Sequence, residues 1–147
     1  MRAILLSLIA VFLIAACKDA SQATASENAA AENETEAAIP EISVEDADKA
    51  LQAGAVAVDA NSDSTREKNG TVPHAIVLTS SYKYDLAQLP EDKSKDLIFY
   101  CSSTSCTASD SAAQRATEHG YQNVSIMRAG IKGWRAAGKP TASYPQS

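Results

Sequence analysis

Leu97-Ile98-Phe99-Tyr100-Cys101-Ser102-Ser103-Thr104-Ser105-Cys106-Thr107-Ala108-Ser109 is the stretch that decides the fold. Its first four residues form a short apolar, β-favouring run, the pattern of a buried strand. That strand delivers Cys101 to its C-terminal end. A small polar loop follows, and an Ala-rich helix begins at Thr107 or Ser109. In parallel α/β sheets, ligand sites lie at the carboxyl ends of strands, where amides of the next loop and helix point at an anion. A thiol placed there meets the positive end of the helix dipole. Its pKa is therefore expected below the free-thiol value of about 8.5. Cys101 reads as a nucleophile, and Ser102, Ser103, Thr104, Ser105, Thr107, Ala108 and Ser109 as the active-site loop around it.

Strand-like and helix-like segments alternate on both sides of this stretch. Ile39 and Ile42 flank a short extended lead-in. Ser43 opens a capping box with Asp46, and Ala47, Ala50 and Leu51 continue a helix that Gly54 stops. Ala55-Val56-Ala57-Val58-Asp59 is a buried strand, residues 61–70 a polar loop, and Ala75-Ile76-Val77-Leu78 the next strand. Leu86 and Leu89 with Pro90 suggest one helical turn. After Cys101 the pattern predicts a helix over 109–119, a strand at Val124-Ser125-Ile126-Met127, and a final helix over 131–137 ended by Gly138 and Pro140. The alternation argues for a largely parallel sheet covered on both faces. A chain of 147 residues accommodates one such domain, here 39–145. Its 13 basic residues against 18 acidic ones leave no basic stripe to neutralise phosphates, which excludes a nucleic-acid surface.

The first 16 residues read as a targeting segment. Met1-Arg2 is a short positive start, and the apolar run from Ile4 to Ala16 is too short for a permanent bilayer span. It ends in Ile14-Ala15-Ala16-Cys17, which resembles the lipobox of bacterial lipoproteins. That resemblance implies a signal peptide over 1–16, lipidation of Cys17, and a domain held in the cell envelope outside the cytoplasm. Lys18, not Asp, follows the cysteine, which in enteric-type lipoproteins favours the outer of two membranes. In residues 17–38 five acids (Asp19, Glu27, Glu32, Glu34, Glu36) face one base, Lys18, and no aromatic residue occurs. Such a composition cannot bury enough apolar surface to offset chain entropy, so a disordered acidic tether is expected.

The folded part resembles a single rhodanese domain. Val58-Asp59-Ala60-Asn61 is similar to that family's Asp-Val-Arg strand end, and Gly70-Thr71-Val72-Pro73-His74-Ala75-Ile76 to its Gly-His-Ile-Pro-Gly-Ala block. Phe99-Tyr100-Cys101 matches the strand leading into its catalytic loop. Gly120-Tyr121-Gln122-Asn123-Val124, Ala129-Gly130-Ile131-Lys132-Gly133-Trp134 and Ala137-Gly138-Lys139-Pro140 match its C-terminal signature. The resemblance implies a three-layer α/β domain with a central, mainly parallel five-stranded sheet and helices on both faces. It also implies attack of a Cys101 thiolate on a sulfane sulfur, giving a persulfide that passes to a thiol acceptor. Relative to the family's loop, the spacing from Cys101 to Ser109 is two residues longer. Nothing in 102–108 is basic, and Asn61 stands where an Arg is usual. An Arg would favour a dianion such as thiosulfate, so efficient thiosulfate turnover is not expected.

Other residues have plainer readings beside the functional ones. Cys106 is a resolving thiol or disulfide partner for Cys101, or an incidental residue. Asp59 orients the loop or serves as an acceptor for turn amides. Trp134 reads as core packing. His74, His119 and the two cysteines lack metal-ligand spacing, so neither a metal nor a cofactor is expected. The partners expected are a small sulfur-containing donor, a thiol acceptor and the membrane through the lipid anchor. Two classes of function stand: a sulfurtransferase or persulfide carrier, with a thiol–disulfide redox protein as its variant, and a non-catalytic binding module on the same fold.

Overall fold

The computed structural model describes residues 38–145. The expected signal peptide, the lipidation site Cys17 and all but the last residue of the expected tether lie outside the described residues. Ten elements follow in order: β1 (Glu41–Ile42), α1 (Val44–Gln52), β2 (Val56–Asp59), α2 (Asp63–Asn69), β3 (Ile76–Val77), a 3-10 turn (Leu86–Gln88), β4 (Asp96–Tyr100), α3 (Ala108–Glu118), β5 (Asn123–Met127) and α4 (Gly130–Ala136). The five strands form one sheet in the order β1-β5-β4-β2-β3, and every pairing is parallel. β4 lies at its centre, flanked by β5 and β2, so Cys101 emerges from the best-supported strand end.

The sheet is buried on both faces because its strands alternate apolar side chains between two cores. Leu97 and Phe99 of β4 join Val58, Val124 and Ile126 on one face, under Ala112, Ala113 and Ala116 of α3 and under Tyr84. Ile98 and Tyr100 point the other way and join Ala57 and Met127 under Val44 and Ala47 of α1 and Ile131 and Trp134 of α4. The three alanines of α3 let that helix lie close against β4 and β5. Ser43 caps α1 as expected: its hydroxyl accepts from the Asp46 amide at 3.1 Å and donates to the Asp46 carboxylate at 2.8 Å. Trp134 is core, with its indole N–H on the Pro140 carbonyl at 2.7 Å.

One segment departs from the sequence reading. Residues expected as polar loop contain α2, a helix with no apolar stripe. It is held by a buried ion pair instead. Arg66, 3% exposed, donates to Asp59 Oδ1 at 3.2 Å, the Asp59 carbonyl at 3.1 Å, the Leu78 carbonyl at 3.0 Å and Asp63 at 2.9 Å. Hydrophobic periodicity has no signal for a helix anchored by one cation. The edge strands are also short: β3 retains only Ile76 and Val77 of the four residues expected to extend.

Candidate functional site

β4 ends at Tyr100, and the loop that follows is pinned from outside. Gly130 starts α4 with a positive φ of 61°. The amides of Ile131 and Lys132 donate to the Cys101 carbonyl at 2.8 Å and the Ser102 carbonyl at 3.1 Å. Within the loop the Cys106 amide returns to the Ser103 carbonyl at 3.0 Å, closing a tight turn over Thr104 and Ser105. The turn folds Cys106 back beside Cys101, immediately ahead of α3. The structure thus brings Cys101, Cys106, Ser102 and Ser109 together. Ser103 and Ser105 stay on the exposed rim, their hydroxyls 3.4 Å apart.

The two thiols have unequal surroundings. Cys101 is 2% exposed. Its sulfur faces the Cys106 carbonyl at 3.1 Å and, more distantly, the Ser103 carbonyl at 4.0 Å, while the Ser109 hydroxyl donates to it at 3.4 Å. Carbonyl oxygens accept a thiol proton and repel a thiolate. Burial, then the hydrogen bond with the Cys106 side chain, push the Cys101 pKa up, and the Ser109 hydroxyl and amide only partly oppose this. The depressed Cys101 pKa expected from its strand-end position is therefore corrected. The loop turns carbonyls as well as amides toward that sulfur.

Cys106 holds the complementary position. Partial burial works against its ionisation. Hydrogen bonds from the Cys101 thiol, the Ser102 and Ala108 amides and the Ser102 hydroxyl outweigh that, so its pKa falls below that of a free thiol. Thr107 makes no side-chain cap for α3, and the Cys106 sulfur takes the Ala108 amide in its place. The single proton of Cys101 faces two acceptors of one residue, the carbonyl and the sulfur of Cys106. Both cysteines are free thiols.

Cys106 opens onto a cleft of about 410 Å³ whose walls include Asn61, Ser102, Thr79 and Tyr82; Cys101 is not among its lining residues. Among the described residues no charged side chain lines this cleft. A slightly larger apolar hollow of about 460 Å³ lies between α1, Pro73 and Trp134 and contains no cysteine. Asp59 is fully buried and plays a structural part. It accepts from the Asn61 amide at 2.7 Å, the Tyr100 hydroxyl at 2.6 Å and Arg66, and it makes no contact with either thiol. Tyr100 in turn accepts from the Val72 amide at 3.0 Å. This network fixes the β2 end on which Asn61 sits. Sequence reading missed Arg66 and Tyr100 here; a lone Arg in a polar stretch and a Tyr in an apolar run carry no mark of their partnership. Among the described residues no group of three His, Cys, Asp or Glu side chains could hold a metal. His74 adopts a positive φ of 60° in its turn, and His119 sits at the end of α3 with Nδ1 2.8 Å from the Arg115 carbonyl.

Solved structures with this fold include a thiosulfate sulfurtransferase from Pseudomonas aeruginosa (23% identity, TM-score 0.59), matched over 74% of this chain and 21% of that one. A rhodanese-like domain from Anabaena sp. matches at 23% identity and TM-score 0.58, over 71% and 79% of the two chains. A protein from Rhodopseudomonas palustris described as a possible tyrosine phosphatase matches at 24% identity and TM-score 0.56, over 70% and 84%. No curated protein matches the chain. The rhodanese-like domain family matches residues 43–137, which include every element from α1 to α4. With its parallel five-stranded sheet and a cysteine at the end of the central strand, the chain belongs to the rhodanese-like family.

Proposed function

We propose that the chain is a membrane-tethered sulfur-transfer domain of rhodanese type, carrying sulfane sulfur as a persulfide on the paired thiols Cys101 and Cys106. The observation that carries this reading is the pair itself. Two free thiols stand together at the end of the central strand, the Cys101 thiol donating to the Cys106 carbonyl at 3.1 Å, and Cys106, which ionises more readily than a free thiol, lines an open cleft. A thiolate is the nucleophile that sulfane chemistry requires. The sulfurtransferase among the similar structures points the same way. The loop is longer than the family's usual one by two residues, and that extra length lets Cys106 fold back onto Cys101.

A phosphoryl-transfer reading gains nothing from this geometry. A phosphate dianion needs donors around the attacking sulfur. Cys101 instead faces two carbonyls, and among the described residues no cationic side chain lines the cleft. The reading is tested by treating the reduced full-length chain with a sulfane donor and measuring cyanolysable sulfur. About one sulfur per chain, recovered as cyanolysable sulfur early in the reaction or as sulfide later, is the expected result for a single persulfide-forming site. Two unreactive thiols would make the domain a binding module. A reversible disulfide that forms with no sulfane sulfur taken up and no sulfide released would make it a redox protein.

The tether belongs to the same proposal. On this reading Ile14-Ala15-Ala16-Cys17, which resembles a lipobox, supports a lipid on Cys17 and a domain outside the cytoplasm, with the outer membrane preferred where two exist. Cys17→Ser is expected to move the protein from the membrane fraction to a soluble or unprocessed form. Unchanged fractionation would remove the anchor.

A further inference from the structure

We propose that Cys106 is the sulfur a donor meets first and that Cys101 is the buried thiol that discharges it, with Asn61 holding a small, uncharged-headed organic persulfide in the cleft. This rests on the sulfur-transfer reading above and reverses the order that the strand-end position of Cys101 suggests. Access decides the first step. Cys106 lines the cleft and Cys101, 2% exposed, does not. An incoming sulfane sulfur therefore reaches Cys106 without the loop having to open. The amides of Ser102 and Ala108 already point at that sulfur, so charge is stabilised where attack starts.

A second, independent feature points to a ligand in the same cleft. Asn61, 8% exposed, has an amide Nδ2 that finds no hydrogen-bond partner among the described residues. A buried donor of this kind is destabilising until an acceptor satisfies it, which a bound ligand would do. Asn61 shares the cleft wall with Cys106, and Ser62, Thr65 and Thr79 line the same space, the Thr79 hydroxyl donating to Gln88 Oε1 at 3.2 Å and the Ser62 and Thr65 hydroxyls 3.1 Å apart. With the Asn61 amide as a neutral donor and no cation among its described lining residues, the cleft suits an amide- or hydroxyl-bearing alkyl persulfide better than a compact dianion such as thiosulfate.

The chemistry balances. The Cys106 thiolate attacks the outer sulfur of R–S–SH; the S–S bond breaks, RS⁻ leaves, and Cys106–S–SH forms. The Cys101 thiol then attacks the inner, cysteinyl sulfur of that persulfide. A Cys101–Cys106 disulfide forms and the outer sulfur departs as hydrogen sulfide, carrying the proton of the Cys101 thiol. The sulfane sulfur is reduced and the two thiols are oxidised. An external dithiol then restores both cysteines by thiol–disulfide exchange. The chain on this scheme converts an organic persulfide and a dithiol into a thiol, hydrogen sulfide and a disulfide.

The test uses the full-length chain reduced and then freed of reductant, the persulfide of N-acetylcysteamine as the probe, and dithiothreitol as the dithiol, added only after sulfide release has been followed. Reactions are quenched early with N-ethylmaleimide, followed by peptide mapping and a sulfide assay. In the wild-type chain the first added sulfur is expected on Cys106, followed by a Cys101–Cys106 disulfide and released sulfide. Cys101→Ser should trap the persulfide on Cys106 and abolish sulfide release; Cys106→Ser should lose uptake. Asn61→Ala should raise the half-saturating persulfide concentration about tenfold, the worth of one hydrogen bond. A half-saturating concentration left unchanged by Asn61→Ala removes Asn61 from the site. First appearance of sulfur on Cys101 in the wild-type chain overturns the assignment and leaves the sulfur-transfer reading standing. No added sulfur on either thiol overturns both.

Discussion

Arg66 shows what one side chain can hold in place. Its guanidinium reaches Asp59, the carbonyls of Asp59 and Leu78, and Asp63, and both charged groups of the inner pair are almost completely buried. Removing one member of such a pair strands a charge. Arg66→Ala is therefore expected to cost about 3–5 kcal/mol in chemical denaturation. If the stranded Asp59 carboxylate causes the loss, Asp59→Asn in the Arg66→Ala background should recover part of it, and a double-mutant cycle measures how much. The thiols give a second prediction at this scale. At neutral pH iodoacetamide should label Cys106 well ahead of Cys101, because amides face the first sulfur and carbonyls face the second. As pH rises, Cys106 labelling should level off below the pH at which a free thiol does, and Cys101 labelling should still be climbing above it.

At the level of elements, the loop between β4 and α3 takes its shape from α4. A Cβ on Gly130 would lie 2.5 Å from the Cys101 carbonyl oxygen and 2.7 Å from the Ser103 nitrogen, at a φ that side chains rarely adopt. Gly130→Ala should cost roughly 1–3 kcal/mol from backbone strain alone. It should also slow Cys106 alkylation, since Ser102 moves with its carbonyl. Thermal melts and labelling rates on the same protein check both. The strands and α1, α3 and α4 were legible in the sequence because each carries an apolar face or run, such as Leu97 to Tyr100, that only one period explains. α2 was not, because Arg66 replaces apolar burial with an ion pair. The positions of Cys101 and Cys106 were legible too. Which of them receives amides was not, since the turn over Thr104 and Ser105 decides the direction of each peptide, and many residues fit such a turn.

For the molecule as a whole, two cores clamp one sheet, and each contains a buried phenol. Tyr84 donates to the Ala112 carbonyl at 2.8 Å, and burial pushes its pKa up to about 12. Tyr100 is pushed well above the usual phenol value by burial, then by the Asp59 charge and hydrogen bond. Both groups hold their proton more tightly when folded than when unfolded. Their stabilising contribution is complete below the unfolded value of 10.0; that of Tyr84 is lost as pH climbs toward about 12, and that of Tyr100 is lost only as pH rises through its own, raised value. The melting temperature should fall across that window, and Tyr84→Phe should flatten the fall while losing about 1 kcal/mol at neutral pH for its one hydrogen bond. The order of the strands has a further consequence, one of timing. Among the described residues, Glu41 and Ile42 find their strand partners in Ile126 and Met127 alone, near the other end of the domain. During synthesis the first strand made must wait, unpaired, for the last, and the sheet can close only once nearly the whole chain has emerged.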